Sequence, residues 1–197
     1  MTSWLRRNRW GLLALPVAVA LAVGANAQRL QDYWWDQDLR QPAATGRLDE
    51  WVTWTDSFSD ATGESTRTLR VKVTGVAATD LELPSDLVGE RVALDFAAEP
   101  DQVLSGCRLA LLDGDGNRYV YDPTINEVSQ DIWPCVPGNH PGPAPSIAAG
   151  QPRTVAPGEE RPPSWTAQPV LVVPRNAKIT QVLLWWEEPE YLAVQLN

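Results

Sequence analysis

Residues 68–74 read TLRVKVT: Leu69, Val71 and Val73 alternate with Arg70 and Lys72, so an extended chain here has one apolar side and one charged side. Residues 90–97, ERVALDFA, repeat the pattern with Val92, Leu94 and Phe96. Short apolar or alternating runs follow at 107–112, 118–121, 170–173, 179–186 and 191–196, and a sparser one lies at 49–58 around Trp51 and Trp54. Seven or eight short strands separated by turn residues predict an antiparallel β-sandwich. Beyond residue 46 no amphipathic pattern of helical length occurs, and there is no internal repeat.

The N-terminus has a different period. Arg6, Arg7 and Arg9 precede residues 10–28, nineteen positions without a charge. As a helix these span roughly 28 Å at about 1.5 Å per residue, close to the hydrocarbon thickness of a bilayer. The arginines predict a cytoplasmic N-terminus, with Trp4 and Trp10 at the inner interface. Ala25-Asn26-Ala27 also fits the small-x-small pattern of a cleaved secretory signal, so a retained signal-anchor and a removed leader are both open. Either places the remaining chain outside the cytoplasm. The expected organisation is a tail at 1–9, a transmembrane helix at 10–28, a juxtamembrane segment at 29–46 and a sandwich at 47–197. Tyr33, Trp34 and Trp35 would sit at the outer membrane interface or against a partner. Pro42 and Gly46 would end any helix before them.

Charge and cysteine content narrow the partners. Three of the 16 basic residues and none of the 25 acidic ones precede position 28; the remainder carries 13 basic against 25 acidic residues, a net charge of −12. A nucleic-acid groove is not expected on such a domain. The two cysteines, Cys107 and Cys135, suit a disulfide in an oxidising compartment. Residues 134–163 hold nine of the 17 prolines. Proline lacks the ladder donor, so this is a long surface loop, with Cys135 pinning its start.

LLDGDGNRYVYD, residues 111–122, spaces Asp113, Asp115 and Asn117 like the opening of a calcium-binding EF-hand. Counted from Asp113, the sixth position is Arg118 and the twelfth Thr124, where that loop needs glycine and a bidentate glutamate. A hairpin explains the residues better. Asp115-Gly116 suits a two-residue type I′ turn with Leu112 opposite Tyr119, and Cys107, Leu109 and Leu111 would face the core. The single histidine, His140, lies in the proline-rich loop beside no nucleophile motif. Glu187, Glu188 and Glu190 follow Trp185-Trp186 and read as a solvated turn. No catalytic residues, metal ligands or cofactor are expected. Trp185-Trp186 places one indole on each face of a strand, so one of them is a candidate to be exposed or to cover the sandwich edge, for a protein interface or glycan stacking, while core packing is the first expectation for either one taken singly.

The hairpin with Asp115, Gly116 and Tyr119, then Pro157-Gly158-Glu159, then an apolar strand closing in Val173-Pro174, resembles a family of extracytoplasmic immunoglobulin-like domains of unknown function from Gram-positive bacteria. The start, WLRRNRWGLLALP, is similar to small single-pass proteins of actinobacteria. The likeness covers about half of the chain, and the insertion bearing Cys135 departs from it. It implies an immunoglobulin-like sandwich with a binding or accessory role, and carries over no catalytic residue. The expectation is a non-enzymatic cell-envelope subunit, anchored in the bilayer and associated with a membrane protein, a transporter being one candidate. The alternative is a binding module for cell-wall glycan or a small ligand.

Overall fold

The alternating runs assemble into two sheets packed face to face, in a computed structural model that describes Trp4, residues 7–31, 38–124, 131–151, 153, 155 and 157–197, with backbone only at 28 and 30. Ten strands are present among these residues: β1 (Gln41–Arg47), β2 (Val52–Asp60), β3 (Gly63–Thr79), β4 (Leu87–Ala97), β5 (Arg108–Asp113), β6 (Arg118–Val120), β7 (Ser164–Ala167), β8 (Val170–Pro174), β9 (Ile179–Trp185) and β10 (Glu190–Gln195). One sheet runs β1-β10-β9-β5-β6. The other runs β2-β3-β4-β7, with β8 also pairing β4. The eleven-residue β4 serves both short strands: Leu94–Ala97 pair with β7, and Leu87–Arg91 with β8.

The predicted apolar positions fill the space between the sheets. Leu69, Val71, Val73, Val92, Leu94 and Phe96 of one sheet meet Leu109, Leu111, Val182, Leu184, Leu192 and Val194 of the other, all buried in one cluster. Trp165 stacks on Phe96 with ring centroids 5.4 Å apart. The Cys107–Cys135 disulfide joins the same cluster, with Cα atoms 6.1 Å apart.

Several expectations are corrected. The segment expected to run as a juxtamembrane linker to residue 46 already forms β1 from Gln41. Its sequence, QPAATGR, has no apolar alternation, because it sits at the sheet edge. It pairs with β10 in parallel, so the sandwich is not wholly antiparallel. Pro42 is tolerated where the register shifts between Pro42 and Ala44. At Gly46 any Cβ would collide with Val52. β7 also lies outside the predicted set.

The hairpin forms, but not with a type I′ turn. Gly116 N–H donates to Asp113 O (3.2 Å), and Asp113 N–H donates to Asn117 O (3.0 Å). Only Gly116 has positive φ, 87°. This is the three-residue loop in which a type I turn is followed by a left-handed glycine. The extra loop residue moves the register by one, so Leu112 faces Arg118 and Leu111 faces Tyr119.

Ahead of the sandwich, α1 (Arg9–Ala25) is apolar, contains Pro16 and buries no residue. From Arg9 to Ala27 it is long and apolar enough to cross a membrane. A further helical turn covers Ala27–Leu30.

Candidate functional site

The chain reaches the sandwich beside the loop between β9 and β10, and two of three clefts include that loop's Glu188. Arg40 and Gln41 both donate their N–H groups to Pro189 O, at 3.0 and 3.1 Å, and Gln41 lies beside Glu190 in the β1–β10 pairing. Just before them, Asp38 Oδ1 takes a hydrogen bond from Arg118 Nη1 at 2.9 Å. Burial pushes the Asp38 carboxyl up, but the bonds from Arg118 and Leu39 N–H outweigh it and hold the pKa below the ordinary value. Residues 38–41 therefore tie β6 to the loop between β9 and β10.

The first cleft, about 510 Å³, opens beside Arg118. Its floor is the disulfide edge of β5, and its walls include Val120, Pro123, Ile132, Trp133 and Pro134. Val120 is 50% exposed and Ile132 71% exposed. Arg108 and Glu188 close one side through a 2.8 Å ion pair, and Trp185 Nε1 also donates to Glu188 Oε1 at 3.0 Å. Tyr121 borders the cleft and donates its hydroxyl to Asp131 O at 2.6 Å. Burial, followed by the charges of Asp131 and Asp122, pushes that hydroxyl up to about 12.

The second cleft, about 350 Å³, shares Glu188 with the first and carries Asp56, Glu187 and Glu190 as well. Behind it lies Arg67, a buried cation. Its Nε is 3.1 Å from Asp56 Oδ2 and its Nη2 3.6 Å from Glu187 Oε1. Its guanidinium covers the rings of Phe58 (4.5 Å) and Trp186 (5.4 Å). Burial lowers the Arg67 pKa against the pull of Asp56 and Glu187. Arg67 therefore offsets part of the negative charge from behind, while the Glu187 side chain remains 65% exposed.

The proline-rich segment fastens to the sandwich at several points. Cys135 is bonded to Cys107, and Trp165 Nε1 donates to Cys135 O at 2.9 Å. Asp60 accepts from Ser146 N–H (2.9 Å) and Arg153 Nε (2.8 Å); these bonds, Arg153 first, depress its pKa. Arg161, 1% exposed, donates to the carbonyls of Pro141, Glu99 and Gln102 at 3.0, 2.9 and 2.8 Å and lies 5.0 Å over the Trp165 ring. Burial pulls the Arg161 pKa down to about 10, opposed in part by Asp101. Carbonyls in these loops have no ladder partner, and this buried fork supplies donors instead. A third cleft of about 480 Å³ lies between this segment and the β7–β8 junction, with Arg91, Asp131, Thr166 and Gln168 on its walls.

Asp113, the first residue of the calcium-like stretch, is fully engaged. Oδ1 accepts from the N–H groups of Asp115 (2.9 Å) and Asn117 (2.8 Å); Oδ2 accepts from Asn117 Nδ2 (2.9 Å) and the Tyr119 hydroxyl (2.8 Å). The Asn117 side chain leads in lowering its pKa to about 2, against the effect of burial. The carboxylate organises the hairpin with protein donors, and among the described residues no group of three His, Cys, Asp or Glu is placed to hold a metal ion.

Of the residues singled out in the sequence, Arg7, Arg9 and Trp10 lie on or just before α1, and Arg9 covers the Trp10 ring at 5.5 Å. Arg6, Tyr33, Trp34 and Trp35 lie outside the described residues. The expectation of an exposed indole at Trp185-Trp186 is corrected, since both are buried. Trp186 faces the main core and donates to Leu104 O at 2.9 Å. Trp185 faces outward, but Ala110, Leu183 and Ala193 form a second buried cluster around it, with Leu39 and Tyr191 packed alongside. Sequence reasoning missed the apolar wall of Val120, Ile132 and Trp133; the apolar pair Ile132-Trp133 just before Pro134 and Cys135 was its signal.

No protein-family profile matches the chain, and no curated protein does. Among solved structures it is similar to an uncharacterized β-sandwich protein from Clostridium difficile, with 7% identity over 82% of this chain and 99% of that one, at a TM-score of 0.36.

Proposed function

We propose that this protein is a non-enzymatic, membrane-anchored accessory subunit of a bacterial cell envelope. In this reading α1 is retained in the bilayer, the N-terminus is cytoplasmic, and the sandwich, of the immunoglobulin-like kind found in Gram-positive extracytoplasmic proteins, works outside. It would stabilise or recruit an integral membrane partner, a transporter being one candidate. The observation that carries the reading is α1 itself: seventeen residues, apolar on every side, none of them buried by the sandwich. Such a surface needs lipid or another protein. The disulfide supports an oxidising location, and the arginines before α1 support the orientation. Purification in mild detergent from cells making the protein at native level tests it. One integral membrane protein should co-purify in fixed proportion. A clean monomer, or recovery of a chain cleaved after Ala27 from the medium, would overturn it.

A second reading, a module for glycan or a small polar ligand, is favoured by the third cleft, where Arg91, Asp131, Thr166 and Gln168 offer donors and acceptors. Buried Trp185 and Trp186 no longer support it. Titration with cell-wall fragments, followed by tryptophan fluorescence, tests this reading; an unchanged spectrum at saturating fragment would remove it.

A further inference from the structure

We infer that the apolar and acidic clefts form one docking surface, and that its occupant is an extracytoplasmic protein segment carrying apolar side chains next to a lysine or arginine. The inference rests on the anchored-subunit reading and names the surface and partner chemistry that reading leaves open.

Three observations converge. The clefts are adjacent, because Glu188 lines both. Their chemistries are complementary to a single amphipathic segment: exposed Val120 and Ile132 beside Trp133 on one side, and Glu187 and Glu190 on the other. Aromatic and aliphatic side chains around an open groove are what protein interfaces bury, while neighbouring acids choose a basic partner and speed its arrival. Arg108 is paired with Glu188, Arg118 with Asp38, and Arg67 with both Asp56 and Glu187, so the carboxylates of Asp56, Glu187, Glu188 and Glu190 on the cleft walls outnumber the arginines facing them and the balance is negative. The surface also lies where the tether arrives. Asp38 contacts Arg118 on the rim of the apolar cleft, and Gln41 pairs with Glu190. Ten residues, 28–37, lie between the end of the apolar span at Ala27 and Asp38, and a chain of that length reaches at most about 40 Å. A membrane partner's outer loops fall within that distance. The acidic rim disfavours the anionic lipid surface itself.

In-cell cross-linking of the full chain tests this. A photoreactive benzoylphenylalanine would replace Ile132 or Glu187 in the clefts, or Ser85 or Asn176 in the turns at the opposite end. The two cleft positions should cross-link to one membrane protein. The attachment, mapped by mass spectrometry, should fall in an outer segment with apolar residues beside a lysine or arginine. Glu190→Lys, at an exposed position outside the Arg67–Glu187 pair, should lower the Ile132-site yield roughly threefold while leaving the melting temperature unchanged. Attachment to lipid only, attachment to a segment without a basic residue, or yields indifferent to charge reversal would each overturn the inference. Cross-links from Ser85 or Asn176 alone would sink this surface but leave the accessory role standing. Silence at all four positions, together with no co-purifying protein, would sink both.

Discussion

Trp165 donates its indole N–H to the carbonyl oxygen of Cys135 across 2.9 Å of buried interior. The strand that follows the proline-rich segment and the disulfide that opens it thus grip the same point. Cys107 and Cys135 are 28 residues apart, so the cross-link stabilises the fold by about 3–4 kcal/mol on the chain-entropy estimate. Replacing both cysteines by alanine should lower the melting temperature by roughly 6–16 °C in a scan of the intact and substituted proteins. A shift under about 2 °C would mean that Trp165 and the core hold Cys135 without the bond.

Arg161 is the second clamp. Its guanidinium supplies donors to Pro141, Glu99 and Gln102, carbonyls that no strand pairs. Arg161→Ala leaves them without those donors and should cost about 3 kcal/mol. Arg161→Lys should recover little, since an ammonium lacks the planar fork. Limited proteolysis reads the local effect: cleavage within 138–151 should accelerate in both variants relative to cleavage elsewhere. Equal rates in variant and parent would show that the loop is held by other contacts.

The acid limb of stability should report on the hairpin. The Asp113 pKa is held at about 2 in the folded chain, below its ordinary value of 3.8. A depressed carboxylate contributes stability that is fully present above the unfolded pKa and is lost as pH falls through the folded one. The loss therefore belongs between about pH 4 and pH 2. Asp60, also depressed, adds to it in the same direction. Asp113→Asn should destabilise the protein at neutral pH and flatten this limb. An acid transition with unchanged slope in Asp113→Asn would assign it to other carboxylates.

Much of the sandwich was legible because alternation is a physical requirement of a half-buried strand. Leu69, Val71 and Val73 could face inward only together. β1 was hidden because its seven residues bury little, and their place depends on a parallel partner 149 positions away, Gln41 against Glu190. The hairpin register was misplaced by one because Asp-Gly fits both a two-residue and a three-residue loop; Asp113's side-chain bonds to Asp115 and Asn117 select the longer one. The tryptophan pair was misread on the assumption that the outer face of β9 is wet. The run Val182-Leu183-Leu184-Trp185-Trp186 already argued otherwise, since continuous apolar residues mark a strand covered on both faces. The clefts were least legible, because they join residues from β6, the 131–134 segment and the loop between β9 and β10 that no local pattern relates.

Burial of the pair makes a last prediction. Trp186 lies 6.1 Å from Trp54 between ring centroids, carries Arg67 on its face and bonds to Leu104 O. Trp186→Ala removes one of the two large indoles at that end of the core and leaves the Arg67 cation facing a void. The expected cost is about 3–5 kcal/mol, enough to unfold a marginal domain near body temperature. Trp186→Phe keeps most of the packing and the aromatic face but orphans Leu104 O, so it should cost about 1–2 kcal/mol. Chemical denaturation at pH 7 resolves the two. Near-equal midpoints for Trp186→Phe and Trp186→Ala would mean that the indole N–H, rather than the ring, holds this end of the sandwich together.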